Sequence, residues 1–132
     1  GKVSGYSYGA LNMIGGNVNG VEVGLANWAG GDITGGQCGL LNIAGSTVIA
    51  QAALVNLAMQ SACWQTGLIN WSDKVDGAQW LGINAAKEVK GLQLGVINYA
   101  VKLEGLQVGV INIAWGKENA WTRVLPIVNA NW

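Results

Sequence analysis

The chain has 132 residues, which is enough for one domain. Its seven basic and seven acidic side chains cancel and the cations do not cluster, so no nucleic-acid partner is expected. Only 11% of the residues are charged, against about 25% in an ordinary soluble domain, and the chain carries 21 glycines and seven tryptophans. So little polar surface predicts contact with an apolar partner, with lipid or with other copies of the chain.

Signals for export or membrane insertion are not visible in the sequence. No run of about 18 apolar residues occurs, so a transmembrane helix is not predicted. No signal peptide is apparent, and a start at Gly1-Lys2 without methionine is consistent with removal of a leader or tag.

The dominant feature is a repeat marked by asparagine. Eight asparagines follow one another at two gaps of fifteen residues and then five gaps of fourteen. They are Asn12, Asn27, Asn42, Asn56, Asn70, Asn84, Asn98 and Asn112, and a ninth copy ends at Asn129 after a longer gap. A period this short predicts one small unit copied end to end.

Other positions of the unit are also nearly constant. With the asparagine taken as position 8, the units begin at Gly5, Gly20, Gly35, Ile49, Cys63, Gly77, Gly91 and Gly105. Position 3 is glutamine in six consecutive units, position 5 is usually glycine and position 10 is usually alanine. Apolar residues between glycines predict two short strands and two tight turns per unit, which is too little chain for a helical hairpin.

Two all-β architectures fit such a unit. In a β-solenoid each unit forms one coil, and equivalent residues stack about 4.8 Å apart. In an outer-membrane β-barrel of eight or nine strands each unit forms one strand, and neighbouring strands run antiparallel. The alternation of Val128, Ala130 and Trp132 at the C terminus favours the second alternative.

The charged positions favour the solenoid. Successive units read Lys74, Glu88, Lys102 at position 12, Asp76, Lys90, Glu104 at position 14, and Asp73, Lys87 at position 11. In a solenoid these side chains are direct neighbours, so the alternation of sign replaces repulsion by attraction. We therefore predict an all-β, single-domain β-solenoid of about nine 14–15-residue coils. Its repeats would span residues 1–114, with a divergent last repeat and C-terminal cap over residues 115–132.

The repeated amides are predicted to form an internal structural ladder. In a column of identical amides each side chain can donate to one neighbour and accept from the other. The predicted ladder residues are Gln37, Gln51, Gln65, Gln79, Gln93, Gln107, Asn42, Asn56, Asn70, Asn84, Asn98 and Asn112. Positions 3 and 8 would then point inward with the small residues of positions 1 and 10. The alternative is that glutamine and asparagine merely suit turns.

An inward ladder places the apolar positions 2, 4 and 9 on the outside. The candidate interface residues on these positions are Trp28, Trp64, Trp71, Trp80, Leu92, Leu94 and Tyr99. Two exposed apolar faces predict a covering partner. In the alternative, the strand parity is inverted and these residues form the core.

The C-terminal end is predicted to form a cap. It contains an insertion from Trp115 to Trp121, and Pro126 stands at the usual glycine position, where proline cannot donate a hydrogen bond to a further coil.

Cys38 and Cys63 would lie two coils apart, about 9–10 Å along the axis. A disulfide needs α-carbons within about 7 Å, so both are predicted to be free thiols.

No chemistry is indicated by the side chains. The absence of histidine removes the usual general base and metal ligand. The carboxylates Asp73, Asp76, Glu88 and Glu104 lie beside lysines, as expected of a solvated charged edge. The glycine-rich stretches at Gly15-Gly16 and Gly30-Gly31 lack the lysine and helix of a phosphate-binding loop. No catalytic residue, cofactor or metal is predicted, and the chain is not expected to be an enzyme.

The unit Gly-Leu-Gln-x-Gly-x-Ile-Asn-x-Ala, seen from Gly91 and from Gly105, resembles that of bacterial surface-repeat proteins, which carry such units behind export signals. The ending Leu125-Pro126-Ile127-Val128-Asn129 is similar to how those proteins close. A weaker similarity is to curli-type fibre subunits. Gln93, Gly95, Asn98 and Ala100, like Gln107, Gly109, Asn112 and Ala114, match their Gln-x-Gly-x-Gly-Asn-x-Ala pattern, with Ile97 and Ile111 replacing the second glycine. The resemblance implies stacked coils, inward amides, an exported location and no enzymatic activity.

The expected function is therefore structural. We expect an exported, self-assembling subunit of a bacterial fibre or surface layer, extracellular or on the outer cell surface. One alternative is the small outer-membrane barrel. Another is a surface binding module whose tryptophans Trp28, Trp64, Trp71 and Trp80 dock a glycan or a membrane lipid.

Overall fold

The computed structural model describes residues 2–116 and 123–131 and contains twelve β-strands. The strands are β1 Lys2–Tyr8, β2 Leu11–Ile14, β3 Asn17–Val23, β4 Ala26–Ala29, β5 Ile33–Cys38, β6 Leu41–Ala44, β7 Val48–Ala52, β8 Val55–Thr66, β9 Ile69–Trp80, β10 Ile83–Leu94, β11 Ile97–Ala114 and β12 Val124–Asn131. Within the described residues, no helical segment has the length and hydropathy needed to span a bilayer.

Successive units stack in parallel and in register. Asn84 lies opposite Asn70 on one side and Asn98 on the other, and Gln93 lies between Gln79 and Gln107 in the same way. The same parallel pairing runs from β1 through β11. The protein is therefore a β-solenoid, as predicted, and the antiparallel arrangement of neighbouring units does not occur between these strands. We number its eight coils, coil 1 to coil 8, by the eight asparagines from Asn12 to Asn112.

Each coil contributes to two sheets joined at two corners. The glutamine sheet contains β1, β3, β5, β7, the later halves of β8 to β10 and the middle of β11, and it carries position 3. The asparagine sheet contains β2, β4, β6, the earlier halves of β8 to β10 and both ends of β11, and it carries position 8. We call the turn at positions 5–7 the apolar corner and the turn at positions 11–14 the charged corner.

The core between the two sheets is narrow and lined by small residues. Valine, isoleucine or leucine fills the core beside the charged corner, as at Val18, Ile33, Val75 and Leu103, and alanine fills position 10. In coil 5 position 10 is Ser72, whose buried hydroxyl donates to the Lys74 carbonyl at 2.6 Å. The apolar core is accordingly divided into one cluster that ends before Ser72 and one that begins after it. The inward placement of position 10 is confirmed.

Position 1 differs from the prediction that its side chain points inward. Gly20 and Gly35 have φ values of 144° and 147°, and a Cβ on either would lie 1.8 Å from the carbonyl oxygen of the glycine one coil earlier. Position 1 is thus glycine because the backbone bends there against the coil beneath. Where Ile49 and Cys63 occupy it, the pairing register shifts, and their side chains are exposed and half-buried, respectively.

The C-terminal end of the solenoid is closed by an antiparallel strand. β12 pairs antiparallel with β11, which puts Asn129 opposite Gln107 rather than above Asn112. The ninth asparagine therefore belongs to a closing strand and not to a ninth parallel coil. Pro126 lies where the register shifts between Gly109 and Asn112, in keeping with the preference of proline for bulges. Of the insertion from Trp115 to Trp121 that was predicted to cap the end, residues 117–121 lie outside the described residues.

The two cysteines are free thiols, as predicted. Cys38 is exposed in coil 3, and Cys63 is half-buried in coil 5. The spacing of two coils keeps them apart, because a disulfide would require the α-carbons to approach within about 7 Å.

The charged corner confirms the predicted register and shows a different pairing. Glu88 lies directly between Lys74 and Lys102 in neighbouring coils. The closest partner of each lysine is nevertheless the carboxylate of its own coil, Asp76 at 2.9 Å for Lys74 and Glu104 at 2.7 Å for Lys102. Contacts between coils join Lys87 to Asp73 at 2.8 Å and Lys90 to Glu104 at 3.7 Å. The alternating columns therefore form a mesh of ion pairs rather than simple vertical pairs.

Replacing Glu88 by lysine tests this register. Glu88→Lys stacks three lysines in successive coils and removes a partner of Lys90. We expect a lower thermal midpoint at low ionic strength and recovery of most of the loss at about 1 M salt, where the Debye length falls to about 3 Å. Circular dichroism melts of the wild type and of Glu88→Gln, which removes the charge without adding repulsion, provide the comparison. Equal midpoints for both variants at low salt would contradict the stacking.

Candidate functional site

The asparagine column is a continuous hydrogen-bonded ladder through all eight coils. Each Nδ2 donates to the Oδ1 of the next asparagine toward the C terminus, at distances from 2.7 to 3.1 Å. The same nitrogen also donates to the carbonyl at position 4 of the next coil, as from Asn70 to Trp80 at 2.8 Å. Each asparagine thus fastens its own coil to the coil that follows.

The glutamine column forms a second ladder that runs in the opposite direction. Each Nε2 donates to the Oε1 of the preceding glutamine, toward the N terminus, at 2.7 to 2.8 Å. It also donates across the coil to the carbonyl at position 9, as from Gln65 to Trp71 at 3.1 Å. Every glutamine therefore links the two sheets as well as two coils.

The opposed directions of the ladders have an electrostatic consequence. A column of amides that all donate in one direction adds its dipoles along the axis, as the peptide groups of a helix do. In this solenoid one column donates toward each end, so the two sets of side-chain dipoles oppose each other. All twelve predicted ladder residues are inward, buried and hydrogen-bonded. The prediction of an internal amide ladder is confirmed.

The two ends of the glutamine ladder are built differently. At the N-terminal end Gln37 donates to the Oε2 atom of Glu22 at 2.7 Å, and the Oε1 atom of Glu22 has no hydrogen-bond partner although the residue is fully buried. In coil 1 the position is Ser7, whose hydroxyl donates instead to Asn12 at 3.0 Å. At the other end the Oε1 atom of Gln107 is buried without a partner beneath β12.

Ion pairs and hydrogen bonds shift the pKa values of several charged side chains outside the core. The hydrogen bond that Lys74 donates to Asp76 and the negative charge of Asp76 raise the pKa of Lys74, and Glu104 raises the pKa of Lys102 in the same way. The pKa of Glu104 is lowered in turn by Lys102. Asp32 has a lowered pKa because the Ser46 hydroxyl and the Thr47 amide donate to it. These shifts keep the exposed groups charged at neutral pH, as expected of a solvated edge.

The predicted interface residues lie on the outside but on two different faces. Trp64, Trp80, Leu92 and Leu94 belong to the glutamine sheet, and Trp28, Trp71 and Tyr99 belong to the asparagine sheet. The rings of Trp64 and Trp80 stack with their centroids 5.6 Å apart, and the Nζ atom of Lys87 lies 5.8 Å from the centroid of the Trp71 ring. The outward placement of positions 2, 4 and 9 is confirmed except at Ala78, which is buried. The four tryptophans do not come together as one site.

The most exposed continuous apolar surface was not predicted. It follows the apolar corner, where seven successive coils each present one side chain that is at least half exposed. These side chains are Leu25, Leu40, Leu54, Leu68, Leu81, Val96 and Val110, and we call them the corner column. A leucine or valine follows a glycine in five of these seven coils, whereas Leu54 follows Ala53 and Leu81 precedes Gly82. This regularity was a signal for the column, but strand alternation gives no direction to a side chain inside a tight turn.

Comparison with protein-family models, with curated proteins and with solved structures finds no match to this chain. A proposal about function therefore rests on the geometry of the chain and on the resemblance of its repeat.

Removing one interior glutamine tests the ladder. Gln79→Leu deprives Gln65, Ala85 and Gln93 of their partners while keeping most of the volume. Since each buried polar group left without a partner costs about 1–3 kcal/mol, we expect a loss of at least about 3 kcal/mol in the free energy of unfolding. Denaturant titration followed by circular dichroism measures it.

Gln107→Leu is the matched control for this variant. Gln107 makes two hydrogen bonds as a donor, and its own Oε1 atom accepts none, so fewer groups lose a partner. We expect its loss of stability to be clearly smaller than that of Gln79→Leu. Equal losses would show that the ladder bonds do not determine the cost.

Proposed function

We propose that this protein is a non-enzymatic structural subunit that assembles with copies of itself into a fibre or surface layer on the outside of a bacterial cell. The observation that carries the proposal is the corner column, in which seven coils in succession present a largely exposed leucine or valine. Single exposed apolar residues are ordinary, but a contiguous line of them marks a surface that is covered in use.

The distribution of polarity around the coil supports lateral association. The apolar corner carries the corner column, whereas the opposite corner carries the ion pairs, such as Lys87 with Asp73 and Lys102 with Glu104. A coil with one apolar and one charged edge can bury the first against a neighbour while the second stays in water. Lateral packing also leaves the amide ladders intact, because they lie entirely inside each copy.

A second copy is the partner that fits this surface best. The corner column repeats once per coil, at the strand spacing of about 4.8 Å, and a column with the same repeat can interdigitate with it over its whole length. The chain has no net charge, so copies do not repel one another strongly. End-to-end stacking is less favoured, since β12 already covers the C-terminal edge of β11. The exported location follows from the resemblance to surface-repeat proteins and is part of the proposal.

Two charges in the corner column test the proposal. In the double variant Leu54→Lys and Leu68→Lys, two exposed leucines of successive coils become lysines. Fully burying a leucine is worth about 1.5–3 kcal/mol, so we expect the concentration needed for assembly to rise at least about tenfold. Sedimentation velocity and electron microscopy of detergent-free protein would measure it, with the melting midpoint unchanged.

The matched control places the same two charges at the opposite corner. Ser46 and Gln60 also lie in successive coils and are joined by a hydrogen bond at 3.2 Å. The double variant Ser46→Lys and Gln60→Lys should assemble like the wild type. A wild-type protein that stays monomeric at high concentration would overturn the proposal, and binding of that monomer to vesicles or glycans would favour a binding module instead.

A further inference from the structure

Glu22 stands at the position where the six later coils all have glutamine. It lies at position 3 of coil 2, opposite Gln37, and is fully buried. Among the described residues it is the only ionisable side chain that is buried. A buried carboxylate without a compensating charge is costly, so its presence requires a reason.

The hydrogen bonds of the ladder identify the role of each Glu22 oxygen. The Oε2 atom accepts from Gln37 at 2.7 Å, as the Oε1 atom of each interior glutamine accepts from the next. The Oε1 atom of Glu22 therefore takes the place of a glutamine Nε2 atom. In coils 3 to 8 that nitrogen donates to the carbonyl at position 9 of its own coil, at 3.0 to 3.3 Å. The equivalent carbonyl in coil 2 belongs to Trp28.

An ionised carboxylate does not suit this position. It has no proton to donate, so one negative oxygen would remain buried without a donor, as the Oε1 atom does here. A carboxylic acid carries one O–H group and can donate as the amide does. We propose that Glu22 folds as a neutral carboxylic acid that replaces glutamine in the first rung of the ladder, and that its ionisation at higher pH loosens coils 1 and 2.

The surroundings of Glu22 supply no charge that would hold it ionised. The strand β3 packs against β1, β2, β4 and β5. Their charged or titratable groups are Lys2, Tyr6 and Tyr8 of β1 and Cys38 of β5, and all four are exposed on the outside. Burial raises the pKa of Glu22, and the hydrogen bond from Gln37 opposes this with a smaller effect.

The sign of the pH dependence follows from this shift. Because the pKa of Glu22 is raised in the folded state, its contribution to stability is complete below the unfolded value of about 4.3 and is lost as the pH rises through the folded value. The effect falls on coils 1 and 2, where, among the described strands, β1 pairs with β3 and β2 with β4. A coil that loses hydrogen bonds to its neighbour opens locally at a lower free-energy cost.

The test combines a titration with the variant Glu22→Gln. The chain has four glutamates, so selective ¹³C labelling of their side-chain carboxyl carbons gives a simple NMR spectrum, and the resonance that Glu22→Gln removes belongs to Glu22. We expect this resonance to titrate at a higher pH than the others. A Glu22 resonance that titrates with the exposed glutamates would overturn the proposal.

Proteolysis of the N-terminal coils provides the second readout. At about pH 5 the wild type and Glu22→Gln should be cleaved at similar rates within coils 1 and 2. At about pH 8 the wild type should be cleaved about tenfold faster, because its ionised carboxylate leaves a buried oxygen without a donor and cleavage follows the population of the open form. Comparing the two proteins at each pH removes the pH dependence of the protease. Glu88→Gln, which removes a half-buried glutamate of the charged corner, should follow the wild type at both pH values. A constant ratio between wild type and Glu22→Gln would contradict the switch.

Discussion

The structure depends on buried amide side chains that must find all their hydrogen bonds along one axis. Each interior asparagine and glutamine uses both of its N–H groups, one on the next amide and one on a backbone carbonyl. A slip of one residue between two coils would turn these side chains outward and leave several buried groups without partners. The ladders therefore fix the register that repetition alone would leave open to slippage, and they do so in a core with few large apolar side chains.

The narrow core explains why so much apolar surface lies outside. The amides, alanines and small β-branched residues fill the space between the sheets, and glycine is needed where one coil bends against another. At the apolar corner a Cβ on Gly67 would lie 1.9 Å from the carbonyl oxygen of Ala53, and close to the Asn56 amide. The larger apolar residues are consequently displaced to the outer faces and to the corner column. Internal stability and external association thus use different residues of the same unit.

Much of the fold could be predicted because equivalent residues in successive units indicate which coils are neighbours and which side chains point inward. The columns of Lys74, Glu88 and Lys102 indicated the vertical neighbours, and the six glutamines indicated an inward column. The outer position of Trp64 and Trp80 followed from the same parity. At the bends, the inward direction predicted for position 1 was wrong, as at Ile49, and the corner column was not predicted. Strand alternation ends where the backbone turns, so it gives no side-chain direction there.

The sequence by itself determined the period, the parallel stacking and the inward amides, because a repeat of fourteen residues with complementary charges and satisfiable amides has few other consistent arrangements. The tertiary structure decided what depends on bends and ends. It set the opposite directions of the two ladders, the reversal of β12 over β11 and the exposure of the corner column. It also placed the Glu22 carboxyl where the ladder requires a donor. These features depend on how each coil meets its neighbour in space, and a single unit of the sequence does not contain that information.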